Sequence, residues 1–225
     1  HHRLLSLFYR AWAEARPTVS HDRPDDDYFA QRLGALCGRG LPALHGQGPL
    51  ADTGKLHYSG HLAAQTRYPD GLQAILGDYF GVPVHIEEYV GQWLQLPERS
   101  RLGRRANQLG IDLCLGAHVW DRQHKFRIRL GPLDRAQYLA LLPGGAAFSD
   151  LVAWVAEYLG HELDWDLNLV LKQPQVPALQ LNGRLRLGFD TWLGQPANDA
   201  KDLTLARHYA EQATSSAHSR STEHG

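Results

Sequence analysis

Two stretches of the chain follow the same plan, and any fold has to accommodate that plan twice. In the first, Asp70 opens a segment whose apolar residues Leu72, Ile75, Leu76, Tyr79 and Phe80 recur at helical spacing. Gly81 follows, where a helix ends on a left-handed residue, and Val84 and Ile86 begin a strand. In the second, Ser149 and Asp150 open a helix carrying Leu151, Val152, Trp154, Val155, Tyr158 and Leu159, closed by Gly160 and followed by an alternating strand. Leu72 and Leu151, Asp78 and Glu157, Tyr79 and Tyr158, Gly81 and Gly160, Val84 and Leu163, and Ile86 and Trp165 all stand 79 residues apart. Beyond each strand and a variable loop, the pattern LGxDxxLG occurs at Leu109–Gly116 and again at Leu187–Gly194, 78 residues on. Ordered self-similarity of this kind is an internal duplication. It predicts an α+β fold in which two related helix, strand and loop units form a mixed or antiparallel sheet with packed helices.

The strand of the second copy reads ELDWDLNLVL (Glu162–Leu171), with Leu163, Trp165, Leu167, Leu169 and Leu171 alternating with Glu162, Asp164, Asp166 and Asn168. A two-residue period is the mark of a half-buried strand, here with an acidic outer face. Between the copies, WDRQHKFRIRL (Trp120–Leu130) alternates Phe126, Ile128 and Leu130 with Lys125, Arg127 and Arg129, so its outer face is basic. Opposite charges across adjacent strands contribute about 0.2–1 kcal/mol per pair, so the two strands are expected to be neighbours in one sheet, with Arg127 and Asp164 both on it. Asp164 and Asp166 stand about 6–7 Å apart along one strand face, a separation compatible with paired-carboxylate chemistry. A carbohydrate- or peptidoglycan-processing enzyme is therefore an alternative. Every acidic alternating strand produces the same spacing, however, and a solvated or ion-paired face is the expectation.

No other arrangement of reactive residues supports catalysis. The 13 histidines are scattered without HxH or HExxH spacing. Neither a GxSxG elbow nor a GxxxxGK[ST] loop occurs, and the glycine-rich Pro143–Gly145 follows a helix instead of a strand. No metal and no cofactor are expected. Lys and Arg (23) nearly cancel Asp and Glu (24), so no single-sign field points to nucleic acid or an anionic membrane. Cys37 and Cys114 are the only cysteines, which fits a reducing compartment, the cytoplasm. No apolar run is long enough to cross a bilayer. The chain starts at His1 and contains no methionine, so it is expected to be part of a longer protein.

At the start, LLSLFYRAWAEAR (Leu4–Arg16) sets Leu4, Leu5, Phe8, Ala11, Trp12 and Ala15 on one helical stripe ended by Pro17. A second helix is expected after Asp25–Asp27, whose charge suits a helix N-terminus, ending near Cys37–Gly38. Gly38–Gly54, rich in Gly and Pro, reads as a loop or linker. The expected organisation is a helical segment and linker at 1–54, a first unit at 55–146, a second at 147–194, and a flexible tail at 195–225 with a short helix near Leu203–Ala210. Two loops stand out, QWLQLPERSRLGRRANQ (Gln92–Gln108) and KQPQVPALQLNGRLR (Lys172–Arg186), which carry leucine and proline in segments too broken for a buried element. Exposed apolar material of that sort marks a protein partner, and proline lowers the entropy lost on docking. The competing reading folds Trp93, Leu94, Leu96, Val176 and Leu179 back onto the core.

Several strings, in order, resemble one known family: HHRLLSLFYRAW (His1–Trp12), YFGVPV (Tyr79–Val84), VWDRQHKFRIRLGPL (Val119–Leu133), LPGG (Leu142–Gly145), ELDWDLNLVL, and TWLG (Thr191–Gly194). They are similar to the TssG family (also called ImpH or VasB), a baseplate subunit of bacterial type VI secretion systems. The resemblance runs from residue 1 to about Gly194. It implies a wedge protein without catalysis, cytoplasmic and docked beneath the inner-membrane complex, related to wedge components of contractile phage tails. It implies as partners two copies of TssF, trimers of the adaptor TssK held through two extended loops, and other baseplate components. The duplicated loops are the natural positions for the adaptor: Leu94, Leu96, Pro97 and Leu102 in one site, and Val176, Pro177, Leu179 and Leu181 in the other. Leu4, Leu5, Phe8 and Trp12 are expected to meet TssF. The resemblance further implies a domain-scale segment ahead of His1, and 195–225 has no counterpart in it. A phage-tail-derived adaptor outside type VI secretion is the second alternative.

Overall fold

The computed structural model describes residues 2–14, 27–46, 48–96, 116–160, 162–179 and 186–209, divided between two units, His1–Arg67 and Tyr68–Gly225. In the first unit, α1 (His2–Glu14) precedes α2 (Tyr28–Leu36). Asp27 caps α2 as its position suggests, its side chain accepting a hydrogen bond from Ala30 N at 3.0 Å. The helix stops at Cys37, and Gly38 follows in the left-handed region (φ 78°). Among its described residues, the stretch expected as a loop or linker is a loop as far as Ala51, with one 3-10 turn, and its side chains hold it. Arg39 Nη1 donates to Leu44 O (3.2 Å) across a 3-10 turn at Pro42–Leu44, and Gly46 N donates to Asp52 Oδ2 (2.7 Å) at the start of α3 (Asp52–His57). Leu50, Tyr58 and Leu62, the last on α4 (Ser59–Leu62), are buried, as is Lys55, which pairs with Asp52 at 3.8 Å. These contacts carry the first unit past residue 54 to Arg67.

The second unit runs through α5 (Pro69–Phe80), β1 (Val84–Glu87), β2 (Gln92–Gln95), β3 (His118–Asp121), β4 (Lys125–Leu133), α6 (Arg135–Ala140), α7 (Ala146–Leu159), β5 (Asp164–Leu171) and β6 (Ala200–Ala206). Pro69 occupies the first turn of α5, where its missing N–H leaves no bond unmade. Leu72, Ile75 and Leu76 form the buried stripe, and Gly81 (φ 62°) ends the helix. α7 repeats the design: Phe148, Leu151, Trp154, Val155 and Tyr158 are buried, and Gly160 (φ 69°) follows. The two helices touch, with the Tyr79 and Trp154 rings edge to face at 5.5 Å and Tyr158 Oη donating to Tyr68 O at 3.0 Å. Gly71 permits this approach, since a Cβ there would lie 2.3 Å from Tyr158 Oη.

The strands make a four-stranded mixed sheet in the order β1-β4-β5-β6 and a separate ribbon of β2 and β3. β1 runs antiparallel to β4, β4 parallel to β5, and β5 antiparallel to β6. A parallel pair requires a crossover connection, which α6 and α7 supply. Ile86, Ile128, Leu167 and Leu205 lie across from one another and are all buried, forming the core face. The basic and acidic strands are neighbours in one sheet, β4 and β5, and the register sets Lys125 across from Asp164 and Arg127 across from Asp166.

The duplication has a limit within this sheet. Viewed from the core face, β4 lies on one hand of β1 along its direction, whereas β6 lies on the other hand of β5. One flank of β5 is already taken by β4, so β6 can dock only on the remaining flank. Helix, positive-φ glycine and strand are repeated, and both strands meet β4 on the same hand; the further antiparallel neighbour β6 belongs to β5 alone. β6 also corrects the expected tail. Where a short helix near Leu203–Ala210 was expected within a flexible 195–225, Ala200–Ala206 is a sheet strand, with Leu203 and Leu205 alternating with Asp202 and Thr204 at the strand period. Residues 210–225 lie outside the described residues.

Candidate partner-binding surfaces

β2 and β3 pair with Trp93 across from Trp120 and Leu94 across from Val119. Opposed residues share a face and successive residues alternate, so the tryptophans occupy one face of the ribbon and Leu94 and Val119 the other. A lone two-stranded ribbon is marginal in water; this one is tied to β4 at its base, and its ladder continues one rung past β2 and β3 at the other end. Val90 N donates to Lys125 O (2.9 Å), Leu96 N to Ala117 O (2.8 Å) and Arg122 Nε to Tyr89 O (3.1 Å). Asp121 closes the turn into β4 by accepting from Gln123 N (3.3 Å), His124 N (3.2 Å) and the His124 ring (3.1 Å). Desolvation pushes the Asp121 carboxyl up, but these donors outweigh it and hold the group below its ordinary value.

The first apolar loop therefore begins as a strand, and its large side chains stay in solvent: Trp93 is 66% exposed and Trp120 51%. Leu94 is exposed, and Leu96 is half-buried at the end of the ribbon. Pro97 and Leu102 lie outside the described residues. Sequence reasoning places Trp120 at the start of the basic strand and so misses Val119 and Trp120 as surface residues. The legible signal is Asp121, a turn-former whose carboxylate breaks that strand into β3 and β4.

The second loop leaves β5 under similar restraint. Lys172 N donates to Leu133 O (3.0 Å), Lys172 Nζ pairs with Asp134 (2.8 Å), and Gln173 N donates to Asp199 Oδ1 (2.9 Å). A 3-10 turn at Gln173–Gln175 leads into extended Val176. Val176 and Pro177 are half-buried, Leu179 is exposed, and Leu181 lies outside the described residues. Val176 thus partly returns to the body, whereas Leu179 does not. Beyond it, the second LGxDxxLG is a turn built by its own residues. Gly188 (φ 82°) and Gly194 (φ 81°) take left-handed conformations, buried Asp190 accepts from Arg186 N, and Tyr138 Oη donates to Phe189 O at 2.6 Å. The turn presents Leu187 and Leu193 almost fully to solvent, at 90% and 95%. Most of the first LGxDxxLG lies outside the described residues, but its last glycine, Gly116, also has a positive φ (98°).

On α1, Leu4, Leu5, Phe8 and Trp12 are all exposed, and so are Leu7 and Tyr9. The apolar surface of that helix is wider than the stripe read from its sequence.

Asp164 and Asp166 do not form a free carboxylate pair. Asp166 is only 3% exposed, and both its oxygens are taken by Arg127, with Nε at 2.6 Å and Nη2 at 2.9 Å, while Lys125 Nζ stands 3.3 Å away. The hydrogen bond to Asp166 raises the Arg127 guanidinium above its ordinary value. Asp164 accepts from Trp165 N at 3.0 Å. The row continues through Asn168, which accepts from Arg129 Nε (3.3 Å) and donates to Lys201 O (2.8 Å) and Leu203 O (2.9 Å), and through Arg129 to Glu87 (3.3 Å). Four strands are thereby stitched together by side chains, and the expected outer face of β5 proves largely buried. Among the described residues, no group of His, Cys, Asp and Glu is arranged to hold a metal ion, and no helix is long and apolar enough to cross a membrane.

A family model described as type VI secretion, TssG, matches residues 1–194. No curated protein matches the chain. Among solved structures, the fold is similar to a chain of a type VI secretion system TssK–TssF–TssG baseplate subcomplex determined by cryo-electron microscopy, with a TM-score of 0.70, 21% identity, and coverage of 91% of this chain and 87% of that one. It is also similar to a chain of the baseplate complex from the type VI secretion system, with a TM-score of 0.63, 20% identity, and coverage of 91% of this chain and 61% of that one.

Proposed function

Because the chain belongs to the TssG family of type VI secretion, we propose that it is a structural wedge subunit of the secretion baseplate, joining two copies of TssF and holding the adaptor TssK through two projections. The observation that carries this reading is the exposure of large apolar side chains on α1, on the ribbon and beyond β5. Phe8 and Trp12 on α1, Trp93 and Leu94 on the ribbon, and Leu179 beyond β5 all face solvent. Apolar patches of that sort in a folded chain are partner surfaces. The similarity of fold to a chain of a TssK–TssF–TssG subcomplex supports the choice of partners.

On this reading the protein works by geometry. The TssF contact through α1 is large and apolar, with burial contributing about 25 cal/mol per Å² before the costs of association. The TssK contacts run through Leu94, Leu96, Pro97 and Leu102 on one projection, and Val176, Pro177, Leu179 and Leu181 on the other. Once one projection has docked, the second binds at a raised effective concentration, so avidity substitutes for single-site strength. The assembly sits in the cytoplasm beneath the inner-membrane complex.

The test is co-purification of the full chain with TssF and TssK. Leu94→Asp with Leu96→Asp should weaken TssK capture and leave TssF capture intact. Combining it with Leu179→Asp should abolish TssK capture. Unchanged TssK retention in the combined variant overturns the assignment of the projections.

A further inference from the structure

Trp93 and Trp120 stand 27 residues apart in sequence, and the ribbon register brings their indoles edge to face with centroids 5.2 Å apart. Both remain more than half exposed. Their positions are nonetheless fixed. The ribbon is tied to β4 by the backbone bond from Val90 to Lys125, and Gly91 lies directly against the Trp120 ring, where a Cβ would come within 2.0 Å of Cζ2. The indole of Trp120 is thus held between the Gly91 backbone and Trp93. Rigid indoles lose little side-chain entropy on docking, and tryptophan is the residue most enriched among those that dominate binding energy.

We propose that the Trp93–Trp120 pair is the anchor of the first TssK-binding projection, inserting into an apolar pocket on the adaptor that carries hydrogen-bond acceptors for the indole N–H groups. This rests on the assignment of that projection to TssK, and the pair is continuous with it, since the ribbon bases both ends of the segment between Leu96 and Ala117. The same ribbon face carries Gln95 and His118 and no acidic or permanently cationic residue. That composition suits an apolar pocket and argues against a charged one. Indoles that are desolvated need N–H partners, which sets the acceptor requirement on the adaptor. Gly91 is a positioning residue: it touches no partner and acts by leaving room for Trp120.

Four variants of the full chain, each co-expressed with TssF and TssK, test this by the dissociation constant for TssK measured on the TssF-bound complex. Trp120→Ala should weaken TssK binding at least tenfold, and Trp120→Phe should restore part of the loss. Gly91→Ala keeps both indoles but displaces one; it should also weaken binding at least tenfold and reduce the near-ultraviolet circular dichroism of the coupled pair, with TssF capture unchanged. Leu94→Asp with Leu96→Asp reports on the projection itself. If that double variant loses TssK while Trp120→Ala and Gly91→Ala bind within twofold of the parent, the projection stands and the anchor is refuted. If all four bind normally, the projection and the anchor fall together. Should Trp120→Ala lose TssF as well, Gly91→Ala decides: loss of TssK alone supports the anchor, and retention overturns it.

Discussion

Asp166→Ala removes the acidic member of a buried ion cluster and leaves its basic partners facing one another. In the parent, Arg127 grips both oxygens of Asp166, and Lys125 approaches at 3.3 Å, with the carboxylate side chain 4% accessible. Breaking a fully buried pair by deleting one partner costs about 3–5 kcal/mol. Here the stranded cations are less deeply buried, at 28% for Arg127 and 17% for Lys125, so they can turn partly outward. That relaxation lowers the expected loss to about 2–3 kcal/mol. With a urea slope of about 2 kcal/mol/M, the unfolding midpoint should fall by about 1–1.5 M at unchanged slope. Asp166→Asn keeps an acceptor for Arg127 Nε and should lose about 1 kcal/mol. Adding Arg127→Met to Asp166→Ala should cost less than the sum of the single changes, because each removes a charge the other leaves unpaired. An Asp166→Ala variant within about 0.5 kcal/mol of the parent would refute the view that this carboxylate is committed to the sheet.

Three further outcomes follow from the fold and its surfaces. Burial first, then Asp190 and Asp202, hold the Tyr138 phenol above its ordinary value of 10.0, so its contribution to stability is complete below that pH and is lost as pH climbs past it toward the folded-state value. Tyr138→Phe should cost about 1 kcal/mol at neutral pH for the lost bond to Phe189 O and should flatten the alkaline decline, read from urea midpoints across the alkaline range. Gly71→Ala forces a Cβ against Tyr158 Oη and should lower stability by about 1–3 kcal/mol, seen as a depressed melting temperature. Phe8→Asp changes an exposed residue and should leave stability within about 0.5 kcal/mol of the parent while removing TssF capture; a melting shift larger than that would mean α1 is packed in the free chain.

The parts of the fold that follow from local periodicity were legible. The α5 and α7 stripes, the glycines that end them, and the alternation in β5 each follow from neighbours within one turn or one pleat. What escaped depended on contacts distant in sequence. The charge patterns point to β4 beside β5, but nothing in β5 itself shows that β6 covers its other edge, and two flanking strands turn an apparently solvent-facing Asp166 into a buried ion-pair member. The strand β6 was concealed by polar text on either side of Leu203 and Leu205, although those two leucines already had the right spacing. The Gly- and Pro-rich stretch after α2 is a loop as far as Ala51, as read, but Arg39, Asp52 and Lys55 tie it down through side chains that composition does not reveal. At the candidate surface, Trp93 lay within the loop read as partner-binding, while Trp120 joined it only through strand register.

The central claim is that this chain is a connector whose exposed apolar residues are occupied by two different partners at once. Hydrogen exchange on the full chain, alone and then in complex with TssF and TssK, tests it most directly. The account predicts that TssF protects the backbone of α1, and that adding TssK protects the ribbon from Gln92 to Asp121 and the segment after Lys172, with the β4 and β5 amides unchanged throughout. Formation of a stable complex in which α1 and both projections exchange as fast as in the free chain would contradict it.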